Sequence, residues 1–159
     1  AYAERAIDSL CVLAESDGDT MPETLMTELR EVMDDHAGIL REQSELREGL
    51  TRVRDIRQRT ADLQVDSDRT SEAFEFAIDL SFMLTAAESI LRGALLREES
   101  RGAHSRTDAP EINDEWHKNI LFARTEHGMI HRTRGVAEPS EPVRDALDEG
   151  HELDYHHLE

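Results

Sequence analysis

The sequence has one cysteine, no phosphate-binding glycine motif and no long apolar run, and each shortage excludes a class of protein. Cys11 is the single cysteine, so an internal disulfide, a cysteine-ligated cluster and a four-cysteine zinc site are excluded. A single cysteine suits a reducing compartment, and we expect Cys11 to be a small buried hydrophobic residue. The eight glycines form neither G-x-G-x-x-G nor a phosphate loop. No stretch is apolar enough to cross a bilayer, and no signal peptide is visible.

Basic residues are also scarce. The chain has 159 residues, 36 acidic against 18 basic, a formal net charge of -18, and Lys118 as its single lysine. A surface this acidic repels nucleic acid and anionic membranes, so we expect neither as a direct partner. We interpret the excess of carboxylates as the mark of a halophilic protein, suited to a high-salt cytoplasm where salt screens their mutual repulsion. The apolar fraction of 38% argues against disorder.

Apolar residues recur at helical spacing through the first half of the chain. They predict a helix over residues 2–14 and a second that begins near Thr20 and ends near Gly38. Thr20 and Glu23 have the spacing of a capping box, and Pro22 lies in the first turn, where a missing amide donor costs nothing.

Two longer helices are predicted over residues 42–63 and from Thr70 or Ser71 to Glu99. The first exposes arginines that form either a nucleic-acid stripe or, as we favour, a solvated face of ion pairs with interleaved carboxylates. The second is apolar nearly all round, which predicts a central position and a face left for another partner.

The pattern changes after Pro110. Residues 119–124 and 129–132 flank a glycine turn and predict a β-hairpin, and the tail from Val136 is either an arm laid over a partner or a frayed end. The predicted fold is therefore mainly α: an antiparallel, spectrin-repeat-like three-helix bundle over residues 1–110. A C-terminal hairpin and extended tail follow in the same domain, over residues 111–159.

Histidine pairs invite a metal interpretation. His127 and His131 are four residues apart, and His156 and His157 are adjacent. No acidic residue has diagnostic spacing with either pair, so we expect ordinary surface or hydrogen-bonding roles and no metal site.

The densest polar run ends the third long helix: Glu99-Ser100-Arg101-Gly102-Ala103-His104-Ser105-Arg106-Thr107-Asp108-Ala109-Pro110. Arg101 and Arg106 can each clamp a carboxylate with two hydrogen bonds, and Gly102 can take a left-handed angle that stops the helix. The run is either a polar helix exit with incidental charges or a docking loop. His104 is either a general acid or base or an orienting residue that ties the loop to a neighbouring domain; we favour the second.

This run, followed by Asp114-Glu115-Trp116-x-Lys118, resembles the C-terminal region of the flavoprotein subunit of succinate dehydrogenase and fumarate reductase. The resemblance covers nearly the whole chain, including Leu29-Arg30-x-x-Met33 and Ala37-Gly38-Ile39-x-Arg41. L-aspartate oxidase and adenylylsulfate reductase are related to that family. Asn113 and Asn119 stand where Asp and His are commoner.

The resemblance implies a multi-domain subunit in which an FAD-binding domain and a capping domain precede this part. Residues that bind FAD and dicarboxylate lie in those domains, so we expect no catalytic, cofactor-binding or metal-binding residue here, with FAD held by the parent protein. It implies docking on the FAD-binding domain in cis and contact between the bundle and the iron–sulfur subunit. The docking residues it implies are Glu99, Arg101, His104, Arg106, Asp108 and Trp116.

The parent enzyme that the resemblance implies oxidises succinate to fumarate in the tricarboxylic acid cycle and passes electrons from FAD to iron–sulfur centres. It would lie in the cytoplasm, on the inner face of the plasma membrane, through partner subunits and without direct insertion. Two alternatives stay open: an L-aspartate oxidase-type C-terminal domain, or a free-standing helical interaction module. The chain opens on Ala1-Tyr2-Ala3-Glu4 without a methionine, so we expect a segment of a longer polypeptide.

Overall fold

The computed structural model of the protein describes residues 11–65, 71–125 and 128–148. They fall into two compact units, Ala1–Trp116 and His117–Glu159, called here the helical unit and the hairpin unit. The predicted helix over residues 2–14 lies mostly outside the described residues, although residues 11–14 are helical. Cys11 is half-buried rather than buried as expected.

The described part of the helical unit has three long helices, and each contacts the other two. They are α1 (Pro22–His36), α2 (Gln43–Arg59, continued by a 3-10 turn over Thr60–Asp62) and α3 (Glu72–Leu96). The mainly helical fold is therefore confirmed. Within the described ranges, no helix is long and apolar enough to cross a membrane. The core is apolar and is drawn from all three helices; its fully buried members include Leu25, Leu29, Leu46, Val53, Ile56, Leu80, Leu84 and Leu91.

The start of α1 corrects one prediction. Pro22 is at the first helical position, as expected, but the N-cap is Met21 and no side chain caps the helix. The capping box predicted from Thr20 and Glu23 is wrong, because Thr20 is engaged elsewhere. Its hydroxyl donates to the Asp62 carboxylate at 3.2 Å and its amide to the Asp62 carbonyl at 3.0 Å.

The N-cap of α3 is Ser71, one of the two predicted residues, and its hydroxyl oxygen accepts the amide of Phe74 at 3.3 Å. The helix ends at Leu96, three residues before the predicted end. At Arg97 the backbone becomes extended, and this change brings Glu99 into a buried ionic cluster instead of a further helical turn.

A short parallel pairing fixes the segment after α3 to the connection between α1 and α2. Strand β1 (Leu40–Arg41) pairs with β2 (Ser105–Arg106). The amide of Thr107 extends the pairing by donating to the Arg41 carbonyl at 2.9 Å. The sequence gives no signal for strands of two residues, so this pairing was not predicted.

The hairpin unit contains the antiparallel strands β3 (Lys118–Thr125) and β4 (Gly128–Gly135), with Gly128 at a positive φ of 108°. The predicted hairpin is thus present, with longer strands. The prediction of an extended tail from Val136 is wrong in part, because a helix, α4 (Glu141–Asp148), lies within it. The Ser140 carbonyl accepts two amides at the start of α4, and Pro142 lies in its first turn, so the sequence does carry a start signal for this helix.

A candidate docking loop at the end of the third helix

Residues 97–116, called here the ionic loop, are organised around the fully buried carboxylate of Glu99. Arg101 donates to both carboxylate oxygens, from Nε and Nη2 at 3.0 Å each. Arg97 Nη1 donates at 2.5 Å and the Asn113 amide at 2.9 Å. These hydrogen bonds, that from Arg101 first, outweigh desolvation and lower the Glu99 pKa to about 2. The group is therefore an anion that closes the loop on itself.

The second ionic centre is Arg106, whose side chain is buried with only 2% of the residue exposed. Its Nε and Nη2 clamp the two carboxylate oxygens of Asp108 at 2.7 and 2.5 Å. Its Nη1 donates to the carbonyl of Ala94 at 2.8 Å, which is one of the unpaired carbonyls at the end of α3. Arg106 thus caps the helix C-terminus, where a cation is favoured, and its hydrogen bonds hold the Asp108 pKa below its usual value.

His104 joins the ionic loop to β1. Its Nδ1 lies 3.0 Å from Arg41 Nη1 and its Nε2 lies 3.1 Å from the Arg97 carbonyl. A guanidinium only donates, so Nδ1 is the acceptor and Nε2–H donates to the carbonyl, which assigns a neutral ring. Burial, and then the positive charges of the neighbouring arginines, lower the His104 pKa. Both ring nitrogens are therefore engaged within the helical unit.

Gly102 supports a tight turn rather than the end of the helix, which corrects the prediction for this residue. The amides of Arg101 and His104 each donate to the other's carbonyl, at 2.8 and 3.0 Å, around a two-residue loop. Gly102 has a φ of 59° and Ala103 has no positive φ, an arrangement typical of a type II′ turn. Ser100 fixes the segment that follows the turn, because its hydroxyl oxygen accepts a hydrogen bond from the Arg106 amide at 2.8 Å.

Trp116 closes the ionic loop. The Arg97 guanidinium lies 5.5 Å from the centroid of the half-buried indole ring, within cation–π distance, and Arg97 also donates to the Trp116 carbonyl at 2.9 Å. The structure therefore connects all six predicted residues in one network of hydrogen bonds and ring contacts. Arg41, Arg97 and Asn113 belong to it too and were not predicted to act in it, although Arg41 lies in a segment that carries the family resemblance.

These hydrogen bonds hold the ionic loop in one conformation, and the charges of Glu99 and Arg106 are paired within the loop. Both predicted clamps exist, but the carboxylates they bind belong to the loop itself. Arg101 keeps 37% of its side chain exposed, so it faces outward more than Arg106 does. No group of three or more candidate metal ligands lies together in the part of the chain that the structure describes.

A separate apolar groove runs between α1 and α3, with a volume of about 400 Å³. Leu29, Met33 and Met83 line it, together with Ile90, which is 47% exposed. Phe82 on the same helix is 68% exposed. The expectation that α3 keeps an uncovered apolar face therefore agrees with the structure.

A family described as fumarate reductase flavoprotein C-term matches residues 26–145. One subunit of the fumarate reductase (CoM/CoB) of Methanothermobacter marburgensis is 36% identical over 110 residues, which are 68% of this chain and 20% of that protein. The succinate dehydrogenase flavoprotein subunit of Rickettsia felis is 31% identical over 134 residues, 82% of this chain and 22% of that protein. The chain thus spans about a fifth of these curated relatives.

Solved structures show the same fold. Sdh1 of Mycobacterium smegmatis in complex with UQ1 matches with a TM-score of 0.80 and 28% identity, over 92% of this chain and 26% of that one. Adenylylsulfate reductase of Archaeoglobus fulgidus matches with a TM-score of 0.66 and 20% identity, over 74% of this chain and 20% of that one. The second likeness concerns the fold alone.

Proposed function

The chain belongs to the family of fumarate reductase flavoprotein C-terminal domains, and on this premise we propose that it is the helical domain of a succinate dehydrogenase or fumarate reductase flavoprotein subunit. The observation that carries the proposal is the match over residues 26–145, which includes the whole ionic loop. In this proposal α1, α2 and α3 form an antiparallel bundle of the spectrin-repeat kind. The helical and hairpin units then belong to one domain of a longer flavoprotein.

The ionic loop is the surface that docks on the FAD-binding domain in cis. Its buried charges support this role, because Glu99 and Arg106 hold the loop in one shape before any partner arrives. Preorganisation of this kind lowers the ordering cost of binding. Arg101 is partly exposed and Trp116 is half-buried, so both side chains have surface with which to contact that domain.

The apolar groove beside Phe82 and Ile90 contacts the iron–sulfur subunit. Large apolar side chains exposed together on one helix face are typical of an interaction surface. Removing them from water would favour association at roughly 25 cal/mol per Å² of apolar surface.

The domain itself holds no catalytic centre, no cofactor and no metal, and FAD is bound by the rest of the parent subunit. The parent enzyme oxidises succinate to fumarate, or runs the reverse reaction, by hydride transfer to FAD. It lies at the inner face of the plasma membrane through partner subunits, in a high-salt cytoplasm. The net charge of -18 supports the last point, and higher thermal stability in molar salt than in low salt would test it.

Catalytic silence is the sharpest test of this assignment. We expect the purified chain, mixed with FAD and succinate, to show neither flavin absorbance after gel filtration nor reduction of an electron-accepting dye. Turnover by the chain alone would overturn the proposal. A free-standing interaction module, the alternative, predicts a reading frame with a nearby start codon and no dinucleotide-binding glycine motif upstream.

Docking by the loop is tested in the complete flavoprotein subunit. We expect Arg101→Ala to release the helical domain earlier in limited proteolysis and to lower flavin retention, because Glu99 then keeps only Arg97 and the Asn113 amide. Arg54→Ala removes an exposed arginine from α2 and should change neither measurement. Wild-type proteolysis and flavin retention in Arg101→Ala would contradict the docking role.

A further inference from the structure

The contact between β1 and β2 joins distant parts of the chain through very few hydrogen bonds. Leu40 pairs with Ser105 and Arg41 with Arg106. The Arg41 carbonyl also accepts the amide and the hydroxyl of Thr107, 66 residues away, at 2.9 and 3.3 Å. Leu40 is 71% exposed, so little apolar burial supports the pairing. A strand contact of this size is weak by itself and depends on the side chains around it.

His104 is the side chain that connects β1 to the end of α3. Its Nδ1 accepts a hydrogen bond from Arg41 Nη1 at 3.0 Å, and its Nε2–H donates to the Arg97 carbonyl at 3.1 Å. The same Arg41 side chain is fixed at its other side, because its Nε donates to the Gly38 carbonyl at 2.9 Å. Both hydrogen bonds of the ring require a neutral imidazole with its proton on Nε2.

The surroundings of the ring oppose a second proton. Three positive charges act on it: Arg41 from β1, Arg97 from the segment after α3 and Arg106 from β2. Within the described residues, neither ring nitrogen is hydrogen-bonded to a carboxylate. Burial and these charges lower the His104 pKa. A proton on Nδ1 would place one donor against another and add a fourth positive charge, so protonation and the hydrogen bond to Arg41 exclude each other.

The ion pairs of the loop do not share this sensitivity. The pKa of Glu99 is lowered to about 2 and that of Asp108 is also lowered. Both carboxylates therefore stay ionised at the pH values at which a histidine gains a proton. Arg101 keeps Glu99 and Arg106 keeps Asp108 whatever the charge of the ring. A proton on His104 thus acts on the contact between β1 and β2 before it acts on the loop.

We propose that His104 makes the contact between β1 and β2 a pH-sensitive switch. When the ring gains a proton, Nδ1 releases Arg41 and β1 separates from β2, while the ionic loop keeps its own ion pairs. The separated form binds the proton as an ordinary histidine does and the closed form resists it, so the contact opens as the pH falls below 6.5. This inference goes beyond the proposed function and does not rest on it.

The test follows single amides of the full chain by hydrogen exchange and nuclear magnetic resonance, about one pH unit above and below 6.5, after correction for intrinsic rates. The Thr107 amide donates to Arg41 and reports on the contact, whereas the Asn113 amide donates to Glu99 and reports on the ion pairs. We expect protection of Thr107 to fall about tenfold at the lower pH, because opening is linked to one proton, and protection of Asn113 to stay constant.

Three outcomes of this measurement would overturn the switch. Thr107 could be equally protected at both pH values, or it could be unprotected already at the higher pH. Protection could also be lost equally at Thr107, at Asn113 and throughout α3, which would indicate unfolding of the whole helical unit.

Variants identify the group that titrates. His104→Gln has no titratable ring, so we expect Thr107 to be equally protected at both pH values. His36→Gln, the matched control, removes a histidine that pairs with Glu45 at the end of α1, and it should keep the wild-type dependence on pH. Titration of the ring nitrogens in the wild-type chain needs no variant, and we expect a neutral ring protonated on Nε2 at the higher pH. A charged ring there, or wild-type behaviour of His104→Gln, would contradict the proposal.

Discussion

The ionic loop and the hairpin unit are both rich in charge, and they use it in opposite ways. In the loop, Arg106 is buried and meets the carboxylate of Asp108 two residues away. In the hairpin, Arg132 and Arg134 are exposed, on a unit with no buried residue among those described. The buried charges of the loop are therefore paired within the loop, whereas the two hairpin arginines face solvent.

The difference teaches that charge density alone does not identify an interaction surface. A dense polar run at a helix end first satisfies the helix, because unpaired carbonyls there are costly to bury. Arg106 does this directly for Ala94.

Replacing one arginine in each unit should give the largest contrast. Arg106→Ala removes the guanidinium that pairs with Asp108 and donates to the Ala94 carbonyl, and we expect it to lower the free energy of unfolding by roughly 3 kcal/mol. Arg132→Ala, in the hairpin, should change it by less than about 0.5 kcal/mol. Urea unfolding followed by far-ultraviolet circular dichroism measures both, and equal midpoints would break the comparison.

Adding one methyl group to each unit should give a smaller contrast. A Cβ at Gly18 would lie 2.2 Å from the Asp62 carbonyl oxygen, so backbone must move, and we expect Gly18→Ala to cost roughly 1–3 kcal/mol. At Gly135, in the hairpin, no atom lies within 4 Å of the added Cβ. Gly135→Ala should therefore stay within about 0.5 kcal/mol of the wild type. A stable Gly18→Ala variant would show that the helical unit is looser than its contacts indicate.

The dependence of stability on pH should arise mainly in the ionic loop. The pKa values of His104 and Glu99 are both lower in the fold than their ordinary values of 6.5 and 4.5. The unfolded chain therefore binds more protons, and stability should fall as the pH drops below 6.5 and again from 4.5 towards 2. Asp108 adds to the second decline, because its pKa is lowered as well.

Thermal midpoints across this range test the assignment. Glu99→Gln should be less stable at neutral pH and should lose part of the decline at acid pH. His104→Gln should lose the first decline only. A wild-type midpoint that is constant from neutral to acid pH would contradict the ionic loop as the source.

Much of the fold was predictable from local pattern. Apolar periodicity located α2 and α3, Ser71 was one of two predicted caps, and the turn at Gly128 indicated the hairpin. The errors came where local signals compete. Thr20 has capping spacing but hydrogen-bonds to Asp62, 42 residues away. The signal at Ser140 and Pro142 was present, and it was obscured by the acidic, proline-containing tail.

The sequence predicted which residues belong to the candidate site but not how they are arranged in space. The six residues stand out in the sequence as a dense polar set, and the structure connects them. Arg41 joins them from 63 residues before His104, through the pairing of β1 with β2. A pairing of two-residue strands leaves no periodic pattern, so only the folded chain reveals it.

The sequence by itself determined the helices, the hairpin and the acidic character of this chain, because spacing and composition act over a few residues. Only the tertiary structure decided which charges are buried and paired within the chain and which stay exposed. A guanidinium has the same chemistry at Arg106 and at Arg134. Its burial, and the carboxylate or carbonyl that the fold brings within about 3 Å, decide whether it stabilises the chain or stays exposed to solvent.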